Sequence, residues 1–260
     1  MITDYHVHIG QFCEAYYNAE DVFFALKEAG IGEIWFSSTT SCIYCKESEA
    51  ARSDKNIFSN APAAVELYQA VHDEVQNAKF FANELGLVAH ALYWVVPELH
   101  FSENASITIK NAMEGNLYDG FKIHPRAQNW SLDNSKNIQL AEEVFDFAQK
   151  NDKLILIHCD DDFSPRFFET LIAAYPFVKV QLAHSRPKED ALFMLQKYPN
   201  VVCDTAMASP DVIEYLKSAG FKERLLFGTD FPITHWRKYK PEGDPSREEL
   251  VKEIVTLIKI

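Results

Sequence analysis

The sequence is short of positive charge. Lys and Arg total 25 against 38 Asp and Glu, which gives a net charge of −13 and a pI near 5.1. Sequence-independent binding to nucleic acid needs a basic face, so no nucleic-acid partner is expected. A small anionic substrate stays open, because a metal ion and a few arginines can reverse the sign of the potential inside a pocket. No apolar run is long enough to cross a bilayer. The N-terminus has neither the basic region nor the apolar core of a signal peptide. The expectation is therefore a cytoplasmic protein with no membrane partner. Asn104-Ala105-Ser106 and Asn129-Trp130-Ser131 match the glycosylation pattern but carry no weight without a secretion signal.

Cysteine is scarce as well. Five cysteines, an odd count, read as thiols in a reducing compartment. Cys42-Ile43-Tyr44-Cys45 is a C-x-x-C without the second pair that a structural zinc knuckle needs, so it reads as incidental cysteines in a loop. There is no linker, low-complexity run or internal repeat, which leaves one domain over residues 1–260. No Gly-rich phosphate loop follows any strand, as an open doubly wound sheet would require. No G-x-S-x-G is present, so there is no basis for a serine nucleophile.

What is present is ordinary in bulk, 47% hydrophobic and 24% charged, and regular in order. Short apolar strand patterns are predicted at Ile2–His6, Glu33–Ser37, Leu87–Val95, Gly120–His124, Leu154–His158, Val178–His184, Val201–Thr205 and Leu225–Thr229. Helical patterns follow each of them. Glu20–Ala29 ends at Gly30, and Pro62–Leu85 ends at Gly86. Ile138–Gln149, Pro187–Lys197 and Arg247–Ile258 are further helices, and Asn104–Met113 is the weakest. Ser164-Pro165 and Ser209-Pro210 each read as an N-cap followed by proline. Eight β/α repeats in about 250 residues predict an α/β fold, a (β/α)8 TIM barrel.

Barrel function sits at the C-terminal ends of the strands. Asp4-Tyr5-His6-Val7-His8 closes the first strand. Residues i and i+2 of a strand share a face, so His6 and His8 aim at one point, as two metal ligands would. The plain alternative is two surface or core histidines placed by chance. The fourth strand ends in Lys122 and His124, the fifth in His158, the sixth in His184 and the eighth in Asp230. Counting back by two places Leu154 and Leu156 under His158, and Val180 and Leu182 under His184, as apolar layers beneath a polar rim.

At these residues the sequence resembles the amidohydrolase superfamily, and within it the amidohydrolase-related branch of lactone hydrolases and decarboxylases. The motifs that carry the resemblance are Asp4-Tyr5-His6-Val7-His8, Phe121-Lys122-Ile123-His124-Pro125, the His158 strand and Ala183-His184. Tyr198-Pro199-Asn200-Val201-Val202-Cys203-Asp204-Thr205 and Phe227-Gly228-Thr229-Asp230-Phe231-Pro232 complete them. The resemblance implies a metal-dependent barrel with His6, His8, His158 and Asp230 on one divalent ion, usually zinc. It implies a catalytic or second-metal role for His184. Lys122 stands where two-metal members carry a carboxylated lysine, so a second metal would go with its carboxylation. The loop Cys159-Asp160-Asp161-Asp162-Phe163 departs from the family's His-Thr-Gly.

The chemistry implied is hydrolysis of a lactone or amide bond in a small carboxylate-bearing substrate by zinc-activated water. Asp230 would be the base, with His184 and Lys122 as further catalytic residues. Expected substrate-binding residues are His124, Arg126 and Tyr93. The long loop Ser38–Asn60, with Cys42, Tyr44, Cys45 and Arg52, would be a pocket wall or lid. Trp94, His100, Gln128, Trp130, His235, Trp236 and Arg237 lie in other loops. The alternative reaction is non-oxidative decarboxylation or hydration of an unsaturated or aromatic acid. A metal phosphoesterase and a non-catalytic binder are further classes. A homo-oligomer is compatible with all of them.

Overall fold

The computed structural model describes residues 1–40, 61–100, 108–128, 130, 131 and 133–258. Cys42, Tyr44, Cys45 and Arg52, expected in a pocket wall or lid, lie outside the described residues. The chain forms two compact units, Met1–Leu92 with Gly228–Ile260, and Tyr93–Phe227.

The first unit carries β1 (Ile2–Phe12), β2 (Ala15–Tyr17), β3 (Ile31–Ser38) and, as far as Leu92, β4 (Val88–Trp94), hydrogen-bonded in the order β2-β1-β3-β4. β1 runs parallel to β3 with His8 opposite Ser37, and β3 runs parallel to β4. The predicted first strand stops at His6, but the real one continues to Phe12 and folds back as a hairpin with β2. Gly10 does not release the chain from the strand, as its position suggests. It lies inside β1 at φ +92, where a Cβ would sit 2.3 Å from Thr40 Oγ1 and 2.7 Å from Ser38 Oγ. Only glycine meets both conditions.

Helix Ala19–Glu28 starts where Asn18 accepts from Asp21 N, carries Glu20 and Asp21 in its first turn, and is followed by Gly30 at φ +88. These are the cap and charge placements that favour a helix start. It buries Val22, Phe23, Ala25 and Leu26. Full burial of such a Val, Phe or Leu contributes about 1.5–3 kcal/mol each. Arg247 of helix Arg247–Ile258 pairs with Asp21, and that helix buries Leu250 and Ile254. Helix Ala61–Glu84 turns Tyr68, Val71, Val75, Ala78 and Ala82 inward, alternating three- and four-residue steps down one face.

The second unit holds β5 (Gly120–Ile123), β6 (Leu154–Ile157), β7 (Val180–Leu182), β8 (Val201–Asp204) and β9 (Leu225–Leu226), all parallel and in sequence order. Every residue of β5, β6 and β7 is buried, as parallel strands covered on both faces require. Helix Ser135–Lys150 starts at Asn134, whose side chain accepts from Lys136 N, and buries Leu140, Ala141, Val144, Phe145 and Ala148. Ser164 caps a 3-10 turn, Pro165–Phe168, rather than an α-helix; Ser209 precedes helix Pro210–Leu216 without a side-chain cap bond. Of the weak helix near Asn104–Met113, the described part is one turn, Ile109–Ala112. Among the described residues, no helix is long and apolar enough to cross a membrane.

Candidate metal centre

In the first unit the two-residue period of β1 turns His6 and His8 to one side. Both are buried, with ring centroids 5.0 Å apart at 67°. Asp230 reaches them from the segment Thr229–Phe231, which lies along β1 as a parallel partner. His8 N donates to Phe231 O and Asp230 N to His6 O, each at 2.8 Å. Asp230 Oδ1 stands 3.5 Å from His6 Nε2 and 3.2 Å from His8 Nε2. One donor atom from each of the three residues lies within 4.8 Å of the others, which is a spacing able to hold a metal ion. Asp230 sits at φ +56, a left-handed conformation that aspartate tolerates better than most residues and that is enriched at functional sites.

Asp4 ties this arrangement down. Its fully buried carboxylate accepts from His6 N at 3.0 Å and Thr229 N at 3.1 Å through Oδ1, and from Thr229 Oγ1 at 2.6 Å through Oδ2. The backbones carrying His6 and Asp230 therefore share one acceptor. Ser37 offers its carbonyl at 3.4 Å and its hydroxyl at 3.1 Å to His8 Nδ1.

The second unit collects the remaining predicted histidines. His158 follows β6, and its ring stacks on His124 at 3.7 Å and 12°. His124 in turn lies parallel to Trp94 at 5.5 Å, and Trp94 Nε1 donates to Gln128 Oε1 at 2.9 Å. The buried Lys122 places Nζ 5.8 Å from the centroid of the same Trp94. His158 Nδ1 is 3.1 Å from His184 Nε2. His184 and Ser185 follow β7 at φ +65 and +51, two consecutive left-handed residues. Asp204 at the end of β8 stabilises that backbone. It accepts from His184 N at 2.8 Å, Ala206 N at 3.1 Å and Gln181 Nε2 at 2.7 Å. Burial pushes the thiol pKa of the neighbouring Cys159 well up, so it stays protonated.

Of the predicted site residues, His6, His8 and Asp230 come together in the first unit. Lys122, His124, His158, His184 and Arg126 lie in the second. Arg126 is 34% exposed and pairs with Asp160 Oδ2 at 3.2 Å. Tyr93, an expected substrate-binding residue, also lies in the second unit. It packs edge-on against Tyr118 and Phe121, with its hydroxyl 3.4 Å from His100 Nε2. Its neighbour Trp94 takes the His124 side, because successive strand residues face opposite ways. Trp130 packs against Phe168. His235 bonds to Tyr17 Oη at 3.2 Å, and Trp236 meets Phe12 edge-on. Asp4, Asp160, Asp204 and Ser37 carry no predicted role. Their one signal is position: Asp4 and Asp160 stand two residues from a predicted histidine, and Asp204 ends a strand.

The chain resembles the crystal structure of an amidohydrolase II over 98% of this chain and 100% of that one, with a TM-score of 0.59 and 14% identity. It resembles a TatD-family hydrolase from Entamoeba histolytica over 88% and 75% of the two chains, at 0.55 and 12%. It is similar to the phosphotriesterase homology protein from Escherichia coli, complexed with phosphate in its active site, over 88% and 81%, at 0.51 and 12%. These likenesses show the fold, an α/β barrel, as the eight repeats predict. No curated protein matches the sequence. Buried histidines and aspartates at the strand ends place the chain among the metal-dependent hydrolase-type barrels. It belongs to the amidohydrolase family, whose model, described as amidohydrolase, matches residues 45–250. It is an enzyme of that type.

Proposed function

We propose that the enzyme hydrolyses a lactone or amide bond in a small carboxylate-bearing substrate, with water activated by one zinc ion on His6, His8 and Asp230. The convergence of three buried donor atoms carries this reading: one nitrogen each of His6 and His8 and one oxygen of Asp230 lie within 4.8 Å of one another, a donor set able to hold a divalent cation. Two imidazoles and a carboxylate, all buried, suit zinc, whereas magnesium and calcium favour oxygen ligands. His158 is proposed as the fourth ligand on the family resemblance alone.

When bound, such an ion lowers the pKa of a coordinated water toward about 7 and polarises a carbonyl. Asp230 keeps one oxygen toward the histidines, and its other oxygen is the proposed proton acceptor and later donor to the leaving group. His184, its backbone held by Asp204 and its Nδ1 by the Ala206 carbonyl, is proposed to relay protons through Nε2. His124 and Arg126 are proposed to orient the substrate, the guanidinium toward its carboxylate. Lys122 is proposed to remain uncarboxylated, with one metal per chain.

Elemental analysis of protein purified without chelator tests this directly. About one zinc per chain is expected, and none in the His6→Ala/His8→Ala variant. Metal-free wild-type protein, or equal metal in both, would overturn it. Product analysis then separates the hydrolase from a decarboxylase: a ring-opened or deacylated acid supports the proposal, and released carbon dioxide sinks it.

A further inference from the structure

The acidic loop after β6 holds an unassigned contact to a proposed metal ligand. Asp160, 5% exposed, accepts through Oδ1 from the backbone N–H groups of Asp162 and Phe163, both at 2.9 Å. Its Oδ2 faces His158 Nε2 at 3.2 Å and Arg126 Nη1 at 3.2 Å. The two Oδ1 bonds set the plane of the carboxylate, and Arg126 holds Oδ2 from the more exposed side.

We propose that Asp160 is a positioning residue that selects the tautomer of His158, and so makes Nδ1 the nitrogen His158 presents to a metal. A carboxylate can only accept, so the facing Nε2 carries the hydrogen and a neutral ring keeps its lone pair on Nδ1. Nδ1 points at His184 Nε2, 3.1 Å away. His184 has the matching constraint: its Nδ1 meets the carbonyl of Ala206 at 2.8 Å, so it too carries its lone pair on the nitrogen between the rings. Two lone pairs this close repel, which a cation on His158 Nδ1 would relieve. The His124 stack resists rotation of the His158 ring, so the choice of tautomer is made by Asp160 rather than by turning the ring. This deepens the metal-centre reading and rests on it for the identity of the cation.

The geometry makes an unusual demand of the near-isosteric substitution. In Asp160→Asn the two backbone N–H groups keep the amide oxygen at the Oδ1 position. The NH₂ must then face His158 Nε2, which has to accept, so the ring proton moves to Nδ1 and blocks the ligating atom. In Asp160→Ala a water can take either role. The asparagine variant is therefore expected to be worse than the alanine variant, the reverse of what a purely structural aspartate would give.

The test is ¹⁵N–¹H NMR of the histidine rings in metal-free full-length protein at about pH 8, above the ordinary histidine pKa of about 6.5. It is paired with competition against a chromophoric zinc chelator. We expect an Nε2–H ring for His158 in wild type and an Nδ1–H ring in Asp160→Asn. Zinc affinity is expected to fall roughly 10–100-fold in Asp160→Asn, and by less in Asp160→Ala. An Nδ1–H or doubly protonated ring in wild type, an unchanged tautomer in Asp160→Asn, or a larger loss in the alanine variant overturns the proposal. A wild-type Nε2–H ring that switches in Asp160→Asn, in a protein that takes up no zinc, upholds the tautomer assignment and removes the metal-centre reading instead.

Discussion

Replacing Asp4 with alanine should unfasten the proposed metal centre at its base. The side chain accepts two backbone N–H groups, of His6 and Thr229, and the Thr229 hydroxyl, with no exposure to solvent. Alanine leaves the two N–H groups buried without that acceptor. Each costs about 1–3 kcal/mol, so roughly 2–6 kcal/mol together, a large part of a total stability of about 5–15 kcal/mol. At about 2–4 °C per kcal/mol for a chain of this size, Tm should drop by roughly 4–24 °C. Asparagine should cost less, about 1–3 kcal/mol. Its amide oxygen can keep both N–H partners, and only the charge and the bond donated by Thr229 are lost. Urea denaturation of metal-free protein, with m-values checked for equality, reads these differences without a contribution from bound metal. Because Asp230 N donates to His6 O, the alanine variant should also bind zinc more weakly. An alanine variant within about 1 kcal/mol of wild type, or one no less stable than the asparagine variant, would show that Asp4 does not hold His6 and Thr229 as described.

Asp230→Asn should fold normally, because asparagine also tolerates the left-handed backbone at φ +56. Its turnover per bound metal should fall roughly 10²–10⁴-fold if Asp230 moves the proton; near-normal turnover per metal would shift that role to His184. His235 gives a pH signature. Burial lowers its pKa, with Glu253 and Glu249 opposing less strongly, so the folded protein holds it neutral while the unfolded chain takes up a proton below about pH 6.5. Its contribution is thus present above that pH and lost as pH falls through the lowered folded value. The stability gap between wild type and His235→Gln should shrink from about pH 7.5 to pH 5.5, and a gap independent of pH would count against it.

Much of the frame is legible in the sequence, because buried parallel strands are continuous apolar runs and helices repeat every 3.6 residues. All eight predicted strands form, and helix Arg247–Ile258 has its predicted ends. The hairpin strand Ala15–Tyr17 was not legible: three residues are too few to show a period, and pairing with Gly10–Phe12 creates it. The shared direction of His6 and His8 follows from strand parity alone, a local geometric rule. Parity also separates Tyr93 from Trp94, but it cannot say which face meets His124; the packing of Tyr118 and Phe121 decides that.

The sequence by itself determined which residues could bind a metal and that they stand at the ends of strands, since both follow from residue type and local period. Only the tertiary structure decided what steadies them. Asp4 meets Thr229, 225 positions further along the chain, Asp204 meets His184, and Asp160 meets both His158 and Arg126. A hydrogen bond depends on distance and angle between groups that chain order does not relate. The carboxylates that fix the backbone and the ring tautomers are therefore ordinary acidic residues until the fold brings their donors to them.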